Sequence, residues 1–176
     1  MHTFIIAAVT ADGFIARHSA HSPLTWRSQG DRQFFIERTK SAKVAIMGLN
    51  TAKSSKRPLP GRINIIYAND KSELPHWAEY GEWEITQEYP TTLIDRLRQA
   101  DHKEVAICGG SQIYTMFMKA GLVDTIYLSV EPWLFGQGLH LFKEDIEQKL
   151  ELVQAKNLEE NTLLLEYKVI NDKTLL

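Results

Sequence analysis

The sequence has 176 residues, of which 44% are hydrophobic and 24% are charged, a balance typical of a globular domain with a full core. The formal net charge of −2 gives no basis for binding nucleic acid or an anionic membrane. Cys108 is the single cysteine, which excludes an internal disulfide and favours a reducing, cytoplasmic compartment. The run "FIIAAV" near the N-terminus is too short to cross a membrane. We therefore predict one domain over residues 1–176, without membrane or nucleic-acid partners.

Apolar runs that favour strands alternate with helical segments, which is typical of a layered α/β fold. The predicted strands are residues 3–10, 43–48, 63–68, 82–86, 104–109 and 125–132. Several are apolar throughout, which indicates a sheet covered on both faces. Segments 150–160 and 162–170 flank an asparagine-containing turn and predict an antiparallel hairpin. We expect a three-layer α/β/α domain whose mixed, mostly parallel sheet ends in that hairpin.

Four helices are predicted, at residues 31–42, 50–55, 91–100 and 111–120. Asp31 is suited to the start of the first, and Gly121 to the end of the last. Residues 16–29 show no periodicity and are long for a connection inside a compact domain. This segment is therefore predicted to be a functional loop.

Two stretches, "AIMGLNT" and "AICGGSQIY", each carry a buried strand into glycine and then into a helix. Asn50 or Thr51 is a candidate cap for the first helix and Ser111 for the second. Free amides at a helix N-terminus attract phosphate, and glycines let a ligand approach the backbone. If the two strands are parallel, both junctions lie at one edge of the sheet and could bind the phosphates of a dinucleotide. Taken singly, each is equally a tight turn with an ordinary cap.

The stretch "TWRSQGDRQFF" places Asp31 and Phe35 four residues apart, on one face of a helix. A carboxylate beside an aromatic ring can transfer protons or bind a cationic heterocycle. In "RPLPGR" the prolines and the glycine fix the backbone before Arg62, whose guanidinium could then bind a carboxylate through two hydrogen bonds. The alternatives are a helix cap with a core phenylalanine, and an arginine paired with a local glutamate.

Other chemistry finds little support in the sequence. His18 and His21 lie three apart without nearby carboxylates or thiols, so no metal site is expected. Cys108 ends a buried strand and is expected to be a packed thiol rather than a nucleophile.

Together and in order, "FIIAAVTADGFIA", "TWRSQGDRQFF", "IMGLNTAKSSKRPLPGRINII", "ICGGSQIY" and "TIYLSVEP" resemble dihydrofolate reductase. The resemblance implies NADPH-dependent reduction of 7,8-dihydrofolate to 5,6,7,8-tetrahydrofolate, in one-carbon metabolism. The cofactor would supply the hydride, and the protein would supply position and electrostatics. The oligomeric state is left open between monomer and homodimer.

The resemblance also implies roles for single residues. Asp31 would bind the pterin and assist its protonation, Trp26 would help to hold an ordered water, and Tyr114 completes the expected catalytic set. Phe35 would pack on the aminobenzoyl ring, and Arg62 would bind the glutamate α-carboxylate. The expected substrate contacts are Ala7, Asp31, Phe35, Ser55, Leu59, Arg62, Cys108 and Ser129. The expected cofactor contacts are Ala8, Ile15, Gly48, Asn50, Thr51, Ala68, Asn69, Gly109, Gly110, Ser111, Gln112, Ile113 and Tyr114, with residues 16–25 as a mobile loop over the nicotinamide.

Three positions depart from the family pattern. Leu49 stands where an arginine often binds the cofactor's 2′-phosphate, Gln112 where a basic residue is found, and Asn69 where serine is common. A preference for NADPH over NADH would then depend on Lys53, Lys71 or another side chain.

The segment "EPWLFGQGLHLF" is closer to the reductase domain of riboflavin biosynthesis, which reduces a ribosylamino-pyrimidine phosphate with NADPH. Dihydrofolate is favoured because Trp26, Asp31, Phe35 and Arg62 occur together, and a phosphoribosyl substrate offers no partner for the last two. A nucleotide-binding module without turnover is a third possibility.

Overall fold

The computed structural model describes residues 1–55, 57–74, 83–159 and 161–171. The strands are β1 (His2–Thr10), β2 (Phe14–Ala16), β3 (Val44–Gly48), β4 (Ile63–Tyr67), β5 (Trp83–Thr86), β6 (Glu104–Ile107), β7 (Thr125–Glu131), β8 (Leu139–His140), β9 (Leu150–Glu159) and β10 (Thr162–Val169). The helices are α1 (Gln29–Ala42), α2 (Leu49–Ser54), α3 (Pro90–Gln99) and α4 (Ser111–Lys119). Short 3-10 turns lie at Pro23–Thr25 and Lys71–Glu73.

One eight-stranded sheet has the order β5-β4-β3-β6-β1-β7-β10-β9. Neighbouring strands from β5 to β7 are parallel, whereas β10 runs antiparallel to both β7 and β9. The mixed, mostly parallel sheet and its C-terminal hairpin are thereby confirmed. Two ends of predicted segments, residues 82 and 160, lie outside the described residues.

The sheet is covered on both faces, because successive residues of a strand point to opposite sides. On one face, Ile5 packs in a cluster with Leu93 of α3 and Phe117 of α4. On the other face, Phe4 packs in a cluster with Ala42 of α1 and Ala52 of α2. The predicted α/β/α layering is thus confirmed, with a hydrophobic core on each side of the sheet.

Differences from the predictions fall at the edges of the elements. Helix α1 begins at Gln29, two residues before the predicted start, because Ser28 is its N-cap. The Ser28 hydroxyl accepts the Asp31 N–H at 3.1 Å. A second sheet of two strands, β2 and β8, was not predicted, because each strand is too short to show a pattern. Along the described part of the chain, no helix has the length and apolar character of a membrane span.

Candidate functional site

A cavity of about 950 Å³ opens where parallel strands β1, β3, β4 and β6 give way to loops and helices. This is the edge at which open α/β sheets bind ligands. Most of the candidate residues line it: Ala7, Ala8, Ile15, Asp31, Phe35, Gly48, Asn50, Thr51, Ala68, Asn69, Cys108, Gly109, Gly110, Ser111, Gln112, Ile113 and Tyr114. Five candidates lie outside its lining: Trp26, Ser55, Leu59, Arg62 and Ser129.

Asp31 lies in the cavity wall with 1% of its surface exposed. Its Oδ2 atom pairs with Nε of Arg27, which also lines the cavity. The Arg27 guanidinium carbon lies 5.0 Å from the centre of the Phe35 ring, a cation–π contact. Sequence reasoning overlooked Arg27, although its four-residue spacing from Asp31 was the available signal.

Arg62 is buried, with 3% of its surface exposed. Its Nη1 donates to the Thr39 hydroxyl at 2.6 Å and its Nε to the Pro60 carbonyl at 3.1 Å. No carboxylate among the described residues pairs with it, so the pairing with a local glutamate is not found. Burial lowers the pKa of Arg62, and an arginine nevertheless stays charged. The fold thus holds a desolvated cation in place with neutral oxygen acceptors.

Trp26 is buried against Phe135, with the ring centres 5.4 Å apart. Its Nε1 has no hydrogen-bond partner among the described residues. Trp26 and Arg27 line a second cavity of about 680 Å³ beside Glu131. A buried indole N–H of this kind is a ready donor to a water or a ligand oxygen.

Three other predicted substrate contacts, Ser55, Leu59 and Ser129, lie outside the lining of the cavity. The Leu59 N–H donates to Asn64 Oδ1 at 3.0 Å, and Ser129 is buried in β7. The Ser55 N–H donates to the Ala52 carbonyl at 3.1 Å, just after α2.

The two strand–glycine–helix junctions meet at one edge of the sheet, as predicted. The Gly48 N–H donates to the Gly109 carbonyl at 2.7 Å, and strands β3 and β6 are parallel neighbours. Gly109 has φ +105°, and a Cβ there would lie 2.8 Å from the Tyr114 hydroxyl oxygen. Only glycine fits such a position, which brings the backbone against the cavity.

The predicted helix caps were wrong. Gly48 and Gly110 are the N-caps of α2 and α4, and neither helix has a side-chain cap. The Ser111 hydroxyl instead donates to the His140 carbonyl at 2.6 Å, because β8 lies beside the start of α4. The Ile113 N–H donates to the Gly110 carbonyl at 2.9 Å, whereas the amides of Ser111 and Gln112 have no acceptor among the described residues and are suited to an anion.

Tyr114 and Cys108 are buried groups at the same edge. The Tyr114 hydroxyl donates to the Ile6 carbonyl at 2.9 Å and so ties α4 to β1. Burial raises the pKa of Tyr114, which keeps the phenol protonated. Burial also raises the pKa of Cys108 to about 12, against a smaller opposing effect of Arg62 and Arg27. Cys108 is thus a packed thiol, as predicted.

The connection after β7 is fastened to the loop after β1. Asp12 accepts the Phe135 N–H at 3.0 Å and the Gly136 N–H at 2.7 Å. Strand β8 pairs with β2, next to the predicted loop. His18 and His21 of that loop line the cavity, and desolvation lowers the pKa of His21. Within the described ranges, no group of three ligating side chains could hold a metal ion.

Leu49, Asn69, Glu73 and Gln112 also line the cavity. Lys53 and Lys71 do not line it, and the Lys71 ammonium instead lies 5.9 Å from the centre of the Trp83 ring. Lys143 does line the cavity, and like Arg27 it is a cation that the predictions did not include.

Comparisons with known proteins agree with this architecture. A sequence profile described as dihydrofolate reductase matches residues 2–161. The dihydrofolate reductase of Aedes albopictus is 31% identical over 134 residues, which are 71% of this chain and 70% of that protein.

Solved structures show the same fold in a second group of proteins. RibD of Acinetobacter baumannii superposes with a TM-score of 0.81 at 19% identity, covering 96% of this chain and 58% of that one. A diaminohydroxyphosphoribosylaminopyrimidine deaminase/5-amino-6-(5-phosphoribosylamino)uracil reductase of Thermotoga maritima superposes with a TM-score of 0.74 at 17% identity, covering 96% and 56%. The profile match covers most of the chain and agrees with the fold and the cavity described above. This protein therefore belongs to the dihydrofolate reductase family of oxidoreductases.

Proposed function

We propose that the protein reduces 7,8-dihydrofolate to 5,6,7,8-tetrahydrofolate with NADPH. The observation that carries the proposal is the buried carboxylate of Asp31, which lies in the wall of the cavity that Phe35 also lines. A carboxylate held in such surroundings can bind the N–H groups of a heterocycle and supply a proton pathway to it. When bound, the cofactor would supply the hydride.

The residues of the cavity fit a dinucleotide. The glycines at the two junctions line the cavity, and the start of α4 offers amides to a diphosphate. We assign this role to Gly109, Gly110, Ser111 and Gln112, with Thr51 opposite, where a Cβ on Gly110 would lie 3.5 Å from its hydroxyl. The nicotinamide would lie against Ala8 and Ile15.

Arg62 supports a substrate with an anionic tail. Its guanidinium is desolvated and lacks a carboxylate partner among the described residues, and its Nη2 makes no hydrogen bond there. Arg62 lies outside the lining of the cavity, and a ligand carboxylate that extends to it would gain a charge-assisted hydrogen bond. This agrees with the glutamate tail of dihydrofolate. Phe35 would contact the aminobenzoyl ring of the same substrate. Trp26 would position a water through its unpartnered Nε1.

The second candidate function is reduction of a ribosylamino-pyrimidine phosphate. The observation that favours it is the segment "GQGLHLF", which forms strand β8 against β2 at the cavity. The Thermotoga maritima structure named for a reaction of this kind shares the fold at 17% identity, which supports the fold and not the substrate.

One assay separates the two candidates. Purified protein is mixed with NADPH and either dihydrofolate or the ribosylamino-pyrimidine phosphate, and the loss of nicotinamide absorbance is followed. The proposal expects rapid turnover of dihydrofolate and little of the pyrimidine. Turnover of the pyrimidine alone would replace it with the second candidate, and tight NADPH binding without turnover of either would indicate a binding module.

A further inference from the structure

The ion pair between Arg27 and Asp31 leaves hydrogen-bonding atoms of both residues available. Nε of Arg27 donates to Oδ2 of Asp31, and among the described residues this is the hydrogen bond that joins the two side chains. Neither Oδ1 of Asp31 nor the two terminal nitrogens of Arg27 has a hydrogen-bond partner in that part of the chain. Both residues line the main cavity. A ligand there meets an acceptor and a donor from one fixed pair.

The pair is held firmly in this arrangement. The side chains of Arg27 and Asp31 are 11% and 2% exposed. The Ser28 hydroxyl fixes the Asp31 backbone, and the Phe35 ring lies beside the Arg27 guanidinium. Separating two buried charges would leave each without compensation, which is strongly unfavourable. The guanidinium is therefore expected to stay in place when a ligand binds.

The charge of the pair differs from that of a lone carboxylate. Asp31 alone would present one negative charge and would attract a cationic ring. With Arg27 attached the pair has no net charge, so this attraction is largely cancelled. What remains is the pattern of one acceptor beside one donor, which a ligand must match because unmatched buried polar groups are costly.

We propose that the Arg27–Asp31 pair selects a heterocycle with a cyclic amide edge, in which a ring N–H lies beside a C=O. Asp31 Oδ1 accepts the ring N–H, and an Arg27 terminal nitrogen donates to the carbonyl. The pair discriminates against a cationic amidine edge, which offers two donors and turns one of them toward Arg27. The inference rests on the proposed function insofar as Asp31 binds the ring of the substrate.

The test compares two probes that differ at one position, 6-methylpterin and its 4-amino counterpart. The first has the cyclic amide edge, and the second takes up a proton on a ring nitrogen and becomes a cationic amidinium when it pairs with a carboxylate. Isothermal titration calorimetry gives the Kd of each for the wild-type protein, Arg27→Met and Arg32→Met. Arg32 is the matched control, because it follows Asp31 directly and lines neither cavity.

The wild-type protein and Arg32→Met are expected to bind 6-methylpterin more tightly. In Arg27→Met the ratio of the two Kd values should shift by about tenfold or more toward the 4-amino probe. The reason is that 6-methylpterin loses one charge-assisted hydrogen bond and the 4-amino probe no longer faces a repelling donor. Arg27→Lys, which keeps the charge, should lie between. A ratio unchanged in Arg27→Met would overturn the inference and leave the proposed function standing. If neither probe binds to any of these proteins, both the inference and the proposed function are overturned. If the expected shift is found but the protein does not reduce dihydrofolate, only the proposed function is refuted.

Discussion

Glu131, the last residue of β7, receives two hydrogen bonds from Ser28 at the start of α1. The Ser28 N–H and hydroxyl donate to the same carboxylate oxygen at 2.9 and 3.0 Å. The Ser28 hydroxyl in turn accepts the Asp31 N–H, so a continuous chain of hydrogen bonds joins the sheet to the backbone of the candidate catalytic residue. Thr162 donates to the other oxygen of Glu131 at 3.1 Å. The position of Asp31 is thus set by the sheet as well as by its own helix.

Replacing Glu131 should destabilise the protein strongly. Glu131→Ala leaves the buried donors of Ser28 and Thr162 without acceptors, at roughly 1–3 kcal/mol for each unsatisfied group. Urea denaturation should show the loss in the free energy of unfolding. Glu131→Gln should lose less, because its amide oxygen can still accept from Ser28. Glu151→Ala, on exposed β9, is the control. Equal stabilities of Glu131→Ala and Glu151→Ala would show that the chain of hydrogen bonds is unimportant.

Gly109→Ala should damage both stability and cofactor binding. The residue has φ +105°, and the added methyl would lie 2.8 Å from the Tyr114 hydroxyl oxygen. Gly13→Ala is the matched control, since Gly13 also has a positive φ, of +87°, but nothing lies within 4 Å of its Cβ position. Thermal unfolding should therefore show a larger loss for Gly109→Ala than for Gly13→Ala. NADPH titration should show weaker binding in Gly109→Ala alone, and similar affinities in both variants would separate this glycine from the cofactor.

Leu49→Arg should strengthen discrimination in favour of NADPH. Leu49, the first residue of α2, lines the cavity and carries no charge. A guanidinium can form two hydrogen bonds with the 2′-phosphate of NADPH, a group that NADH lacks. The KM for NADPH should fall by about tenfold, equivalent to one charge-assisted bond, and that for NADH should hardly change. An equal fall in the KM values of both cofactors would indicate that the 2′-phosphate binds elsewhere. Lys143→Met would then test the lysine that lines the cavity.

Arg62→Ala should weaken the binding of dihydrofolate far more than that of a dihydropterin lacking the glutamate. A lost charge-assisted hydrogen bond costs roughly 1.5–3 kcal/mol, which corresponds to an increase in KM of about tenfold to a hundredfold. The comparison of two substrates on one variant controls for any loss of stability, since Arg62 also donates to the Thr39 hydroxyl. The same increase in KM for both substrates would make Arg62 a structural residue.

The sequence was sufficient for the long elements and insufficient for the contacts between distant segments. The apolar runs of β1, β3 and β6 indicate strands covered on both faces, which is typical of a parallel sheet, and the shared glycine edge follows if these strands are parallel. That Ser111 does not cap α4 could not be predicted, because its hydroxyl donates to the carbonyl of His140, 29 residues away. Arg27 was overlooked for a different reason: its pairing with Asp31 is local, but nothing in the spacing shows that both face the cavity.

The most direct test of the account is the kcat of Asp31→Asn with NADPH and dihydrofolate at neutral pH. Assisted protonation contributes about 10²–10⁴-fold, and the variant is expected to lose a factor in that range. Asp145→Asn, which replaces an exposed aspartate far along the chain, should retain the wild-type rate. Circular dichroism checks that Asp31→Asn is folded. A folded Asp31→Asn protein that reduces dihydrofolate as fast as the wild type would remove Asp31 from the mechanism and contradict the proposal.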